Sequence, residues 1–257
     1  RAMDAEDRLR PEFVDKVLDA VDAGDDVTAR ALVEPLHPAD VADLIELAAR
    51  DEREGLVKAL AGIVDADVLA EMNEHVREAL IEALEPEQVA DLAGQMDTDD
   101  AVAILEDLEE DDQRAVLQAM EPDDRAAIEE ALTYPEESAG RLMQRDLIAV
   151  PEHWTVGRVI DFLRSTAELA DDFWEVFVVN PTHHPVGTCK LSSILRAPRS
   201  SPVRDIMMEE QTLIPVDMDQ EDVALRFQKY ALVSAAVVDD AGRLVGMITV
   251  DDVVHII

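Results

Sequence analysis

Cysteine occurs once, at Cys189. A single thiol excludes a disulfide framework and makes a reducing compartment the expectation. Aromatic residues make up only 4% of the 257 residues, so the core must be built from Leu, Val, Ala, Ile and Met. Such a core suits small helices packed on one another. Basic residues are scarce: 22 stand against 59 acidic ones, a net charge of −37, and lysine is confined to Lys16, Lys58, Lys190 and Lys229. A surface of this sign repels nucleic acid and anionic lipid headgroups and attracts cations. No stretch approaches the ~18 apolar residues of a membrane span, and no signal peptide is visible, so a soluble chain is expected. It begins at Arg1 without an initiator Met, as a fragment of a longer protein would. Phosphate-binding GxxxxGK and nucleophile-bearing GxSxG motifs are missing. The DTDD at 97–100 lacks the Gly and the spaced Glu of a calcium loop. Cys189 has no evident base partner and reads as packing. With no catalytic constellation, an enzyme is not expected.

What is present divides near residue 134. The first part is rich in Ala, Leu, Glu and Asp with helical spacing, as in Val41, Leu44, Ile45 and Leu47 or Val116, Leu117 and Met120. Pro38, Asp65, Pro86, Asp99, Asp111 and Pro122 mark short helix starts. Residues 38–85 also repeat in 86–133 at an offset of 48. PADVADL falls on PEQVADL, and Val68, Leu69 and Met72 fall on Val116, Leu117 and Met120. A repeat in apolar positions predicts stacked helix pairs in a superhelical solenoid, an architecture for binding and positioning. After residue 141 the order β-α-β-β-α occurs twice. Its first copy has strands in LIAV (147–150) and VFVV (176–179) about a helix from Val156 to Ser165, then the turn NPTHHPVG (180–187) and a helix from Leu191. Its second copy has TLIPV (212–216), a helix from Asp219 to Tyr230, AAVV (235–238), RLVGMIT (243–249) and a helix from Val250. His183 and His184, adjacent in a turn, are expected to face solvent. Trp154 and Trp174 are expected to anchor a core or interface, and Met207, Met208 and Met218 to fill around one.

The tandem α/β unit resembles a pair of CBS domains, and GMITVDD at 246–252 is its most specific stretch. The helical repeat, the linker YPEESAGRLM (134–143) and the CBS pair together resemble the cytosolic part of MgtE-family magnesium channels and transporters, over about residues 12–257. The resemblance implies an α + α/β multidomain chain, with an all-α solenoid at 1–133 and CBS domains at 134–198 and 199–257. It implies a homodimer joined through the CBS domains. It also implies a transmembrane domain of the same protein, absent from this sequence, that a connecting helix would reach at the cytoplasmic face of the membrane. The implied function is Mg²⁺ sensing, in which closure of the N domain onto the CBS dimer gates the pore.

Mg²⁺ prefers oxygen, keeps several waters and needs one or two carboxylates per ion. Carried over position by position, the resemblance places acidic ligands at Asp67, Asp99, Glu221 and Asp252, with Asp100, Asp219 and Asp251 beside them as assistants. Three positions depart from the family pattern: Ala103 one turn after Asp99, Ala231 in the second CBS module, and His255 one turn after Asp252. Each carboxylate has a structural alternative. Asp is a preferred N-cap, and acids in a first turn are favoured by the helix dipole. CBS pairs also bind adenine nucleotides such as ATP through a hydroxyl residue with an Asp three later. Thr249 and Asp252 supply that pair, whereas Lys190 and Ser193 hold the matching corner of the first module. Two rival functions therefore remain: a nucleotide sensor, and an acidic scaffold whose charge serves solubility in high salt.

Overall fold

The computed structural model describes residues 2–170 and 172–256. Arg1 and Ile257, the outer limits of the domain division read from the sequence, lie outside the described residues. The chain forms two compact units: one of the residues up to Met96 with Ala103–Arg125, the other of Asp97–Val102 with the residues from Ala126 onward.

The helical part opens with α1 (Pro11–Asp22) and α2 (Asp26–Val33). There follow α3 (Pro38–Leu47), α4 (Arg50–Ala59), α5 (Ala66–Glu71) and α6 (Glu74–Glu82), then α7 (Pro86–Ala93), α8 (Thr98–Glu106), α9 (Glu110–Ala119) and α10 (Pro122–Leu132). The starts of α7, α8 and α10 lie 48 residues after those of α3, α4 and α6, as the repeat predicts. Proline at the first position starts α3, α7 and α10, where its missing N–H breaks no hydrogen bond. Packing repeats too: α3 lies against α5, and α7 against α9.

One pair of equivalents differs. α5 has six residues and α9 has ten. Gly62 takes φ +85 in the left-handed region, and the Asp65 side chain accepts from Val68 N at 3.2 Å, so the helix starts after Asp65. Such a cap is worth about 1 kcal/mol. Carbonyls at helix ends are closed by side chains from elsewhere. Arg53 donates to the Ile45 and Glu46 carbonyls at 3.1 and 3.0 Å, and Gln113 to that of Leu105 at 2.9 Å. The core of the first unit is aliphatic, with Val17, Val33, Leu44, Ile45, Leu56 and Leu60 fully buried.

The second unit continues with α11 (Ala139–Leu142), β1 (Ala149–Pro151), α12 (Val156–Ser165), β2 (Glu175–Val179), β3 (Pro185–Lys190) and α13 (Leu191–Arg196). It then repeats as α14 (Val203–Ile206), β4 (Leu213–Pro215), α15 (Gln220–Tyr230), β5 (Ser234–Val238), β6 (Leu244–Thr249) and α16 (Val250–Val253). Each copy builds a three-stranded sheet, its first strand parallel to the second and the second antiparallel to the third. A register shift falls at Val178/Val179 in one sheet and Val237/Val238 in the other. The sheet strands are near-continuous apolar runs because both faces are covered.

The short helices α11 and α14, absent from the sequence reading, exchange partners. Ala139 and Met143 lie in the core of the second module with Ile214, Val223 and Ile248. Val203 lies in the core of the first, with Val150, Val156 and Cys189. Gln144 and Met247 exchange backbone hydrogen bonds at 2.7 and 2.9 Å, and Thr188 and Met208 do so at 3.0 and 2.7 Å. Glycine permits both approaches. A Cβ on Gly246 would stand 2.6 Å from Met143 Sδ, and one on Gly187 2.8 Å from Met207 Sδ.

One side chain stands differently from its expected setting. His184 is half-buried, because the turn at 180–184 packs on the turn at 239–243. Its Nε2 donates to the Ala241 carbonyl at 2.8 Å, and Nδ1 lies 2.7 Å from Thr182 Oγ1. His183 is exposed. Trp154 is edge-on to Phe162 with the Arg158 guanidinium 4.4 Å above its ring, whereas Trp174 is 65% exposed. Met207 and Met218 pack on cores, but Met208 is exposed. Cys189 is buried among aliphatics, which pushes its thiol up to about 11.

Two substitutions test this architecture by thermal unfolding. Gly246→Ala forces Met143 or the Gln144 backbone to move and should destabilise by about 1–3 kcal/mol. Ala231 ends α15 in the left-handed region, at φ 51 and ψ 47. Ala231→Gly relieves that strain and should stabilise by about 1 kcal/mol.

Candidate metal centre

Two helix starts bring carboxylates together within the second unit. The first is the beginning of α8, where Asp99 and Asp100 stand in the first turn after Asp97. Acids suit this position because unpaired N–H groups leave it partly positive. Carboxylate oxygens of Asp97, Asp99 and Asp100 lie within 4.8 Å of one another. Asp97 is exposed and the other two are half-buried. Within that cluster, Asp99 Oδ1 is shielded from solvent and accepts no hydrogen bond. A buried acceptor left in this state costs about 1–3 kcal/mol, and more when charged.

The second helix start is α16. Asp252 stands in its first turn and is 7% exposed. Its Oδ2 accepts from Thr249 N at 2.7 Å and from Thr249 Oγ1 at 3.0 Å, so it caps the helix. Its Oδ1 accepts from Gln144 Nε2 at 2.7 Å. Gln144 belongs to the segment after α11 that crosses to the second module, so the exchange of short helices positions this donor.

Asp99 and Asp252 act on each other. Burial pushes Asp99 well above the usual carboxylate range, and the charges of Asp252, Asp100 and Asp97 add to the effect. Asp252 is also raised by burial. The Thr249 N–H, the Gln144 amide, the Thr249 hydroxyl and a hydrogen bond with Asp99 oppose that rise. Of the two, Asp99 is the more strongly disfavoured as an anion, because it lacks the three donors that hold Asp252. A divalent cation placed there would offset the like charges and satisfy the orphaned oxygen. The donors are all oxygen, with no His or Cys in the cluster, which suits Mg²⁺ or Ca²⁺ over softer metals.

The other expected ligands lie apart from these clusters. Asp67 is exposed in the first turn of α5. Glu221 is exposed in the first turn of α15, where Asp219 is the N-cap and accepts from Glu221 N at 2.8 Å. Asp251 is exposed beside Asp252, and His255 is exposed. Sequence reading missed Gln144 and also a group in the first unit, Glu74, Glu78 and Asp107, whose carboxylate oxygens lie within 4.8 Å of one another. The i,i+4 spacing of Glu74 and Glu78 was the available signal.

A cleft of about 1550 Å³ also opens within the second unit, lined in part by Trp174, Phe177, Tyr230, Lys190, Arg226 and Lys229. Thr249 and Asp252 lie outside its lining, and both Asp252 oxygens are engaged internally.

Residues 36–137 match the family of the MgtE intracellular N domain, and residues 203–257 match the CBS domain. The chain thus carries an MgtE-type intracellular N domain and a CBS domain. It is 36% identical over 124 residues to the magnesium transporter MgtE of Thermus thermophilus, covering 48% of this chain and 28% of that protein. It is 30% identical over 126 residues to the Bacillus subtilis MgtE, covering 49% and 28%. The aligned part thus spans little more than a quarter of the curated relatives. The crystal structure of the cytosolic domain of the Mg²⁺ channel MgtE in complex with ATP matches with a TM-score of 0.85 at 28% identity, over 95% of this chain and 100% of that one. The soluble part of a magnesium transporter matches with a TM-score of 0.81 at 25% identity, over 95% and 96%. The helical N-terminal region and the CBS pair therefore each have counterparts among solved structures. Among the described residues no helix is long and apolar enough to cross a membrane.

The sign of the Asp99 shift gives a test. A carboxyl raised in the folded state binds its proton more tightly there than in the unfolded chain. Its contribution to stability is therefore lost as pH rises from the ordinary 3.8 toward the folded value. Without divalent cations, Asp99→Asn should melt a few degrees above the parent at pH 7. The two should converge toward pH 4, as read by circular dichroism.

Proposed function

We propose that this chain is the cytosolic Mg²⁺-sensing region of a magnesium channel or transporter. The observation that carries the reading is the buried, unpartnered Asp99 Oδ1 within the Asp97–Asp99–Asp100 cluster and beside Asp252. Without a cation this arrangement is electrostatically unfavourable, and with one it is held together. Asp99 and Asp252 are the principal ligands, and Asp97 and Asp100 extend the site. Asp67, Glu221, Asp219 and Asp251 are auxiliary carboxylates for weaker ions.

In this reading residues 1–133 form the N domain, and 134–198 and 199–257 form two CBS domains. Mg²⁺ draws the N domain onto a CBS homodimer at the cytoplasmic face of the membrane. The compacted dimer then holds the pore of a transmembrane domain closed. Ligand binding shifts such an equilibrium only through different affinities for the two states. The pressure toward opening comes from the acids left uncompensated when Mg²⁺ leaves.

A second ligand is favoured by the cleft. Lys190, Arg226 and Lys229 gather there in a chain of net charge −37, together with Trp174 and Tyr230. Cations for phosphates and aromatic faces for a base suit an adenine nucleotide such as ATP. Here it would be held without the Thr249–Asp252 pair.

Small-angle scattering across a Mg²⁺ titration, with KCl holding ionic strength constant, tests the sensor. The radius of gyration should fall with Mg²⁺, and Asp99→Ala or Asp252→Ala should move the midpoint to higher Mg²⁺ by tenfold or more, about the effect of losing one charged ligand. Compaction that follows ionic strength alone would refute the sensor and leave the acidic scaffold. Calorimetry with ATP, ADP and AMP tests the cleft. Lys190→Ala and Trp174→Ala should each weaken ATP binding by about tenfold. Absence of heat with all three nucleotides would remove this second ligand.

A further inference from the structure

We propose that the first CBS module carries an arginine-rich face that docks onto the acidic helix starts of a second copy of this chain. The motivating observation is a gap in the acidity. None of the 59 acidic residues falls between 176 and 204, whereas Lys190, Arg196, Arg199 and Arg204 do. The buried strands β2 and β3 explain part of this gap. They do not explain α13 and the loop to α14, which are largely exposed and elsewhere in this chain would be expected to carry acids.

The fold gathers the cations. Val203 N donates to the Trp154 carbonyl at 2.8 Å, and Val156 N to that of Ser201 at 2.8 Å. The segment before α14 therefore lies along the start of α12. Arg199 Nη2 reaches the Gly157 carbonyl at 3.3 Å and both oxygens of Asp161 at 2.9 and 2.8 Å. Arg158, next to Gly157, lies over Trp154. Arg158, Arg196, Arg199 and Arg204 are all exposed, and Asp161 compensates only Arg199.

Guanidinium groups pair with carboxylates in a bidentate fork. The chain itself supplies the complement. Glu109–Asp112 and Glu121–Asp124, at the starts of α9 and α10, are exposed and contain seven carboxylates. A flat anionic bilayer fits less well. Exposed Asp161, Asp205, Glu209 and Glu210 border the arginines, and a plane large enough to cover the face would meet them too. A narrow acidic helix end can approach between them. Near 0.1 M salt the screening length is about 10 Å, so local complementarity outweighs the overall −37.

Sedimentation equilibrium of the whole chain in about 0.1 M and about 1 M KCl tests the inference, since ionic contacts weaken with salt and apolar ones do not. A salt-weakened association is expected. Arg196→Glu with Arg204→Glu should reduce it at least tenfold, roughly the effect of losing two or three ion pairs. Arg199 is left in place because it ties the loop to α12. Asp112→Lys with Asp123→Lys should reduce it similarly. An equimolar mixture of the two double variants should restore it, which separates recognition from misfolding. Association indifferent to salt and to both variants would overturn the proposal. So would binding of the parent to phosphatidylserine vesicles without salt-weakened self-association. Neither result bears on the Mg²⁺ titration, which reads different residues.

Discussion

The candidate site depends on a half-buried carboxylate with one oxygen held out of water. Asp99 cannot ionise cheaply where it sits, because burial removes its hydration and Asp252 faces it with like charge. Two groups can relieve this: a proton, or a cation with oxygen-seeking chemistry. Asp252 is more firmly fixed, since three donors from Thr249 and Gln144 hold both its oxygens. One carboxylate is thus fixed by capping and the other is left unsatisfied. Such asymmetry suits a sensor better than a permanent structural metal site, where every ligand would be oriented by its own partners. Capping and metal binding, which sequence reading sets against each other at Asp252, are compatible here: the cap fixes the direction in which the carboxylate points.

That fixed geometry depends on the exchange between CBS modules. Gln144 reaches Asp252 because the segment after α11 pairs with β6, and that pairing requires no side chain at Gly246. The same arrangement recurs at Gly187, Met207 and Met208. Each module borrows its last core residues from the segment preceding its twin. The two modules therefore share their cores within one compact unit, with Met143 and Met207 packed at the crossings.

Much of this was legible from residue pattern. The 48-residue repeat located α3, α7, α4, α8, α6 and α10, because apolar spacing and N-terminal prolines are local signals. The β-α-β-β-α order was legible for the same reason. The shortened α5, whose boundary is set by Gly62 and the Asp65 cap, was not. Nor were α11 and α14, four residues each, whose stability comes from the partner module and not from their own periodicity. The sequence offered Asp99 and Asp252 as acids at helix starts, and the resemblance singled them out. That they act on each other is a tertiary fact, and Gln144, the donor to Asp252, carries no sequence signal. Asp67 and Glu221 show the converse: the same local pattern on exposed turns gathers no cluster.

The charge distribution connects these points. Acids are spread over nearly every helix start, where the dipole favours them and water screens them. Acidity alone therefore distinguishes nothing in this chain. What distinguishes Asp99 is the loss of solvent, and what distinguishes the first CBS module is the loss of acids between residues 176 and 204. In a protein with a surplus of one charge, function is to be sought where the surplus is buried or interrupted. A buried carboxylate calls for a cation. An interruption offers a surface to which the acidic helix starts of another copy can be drawn.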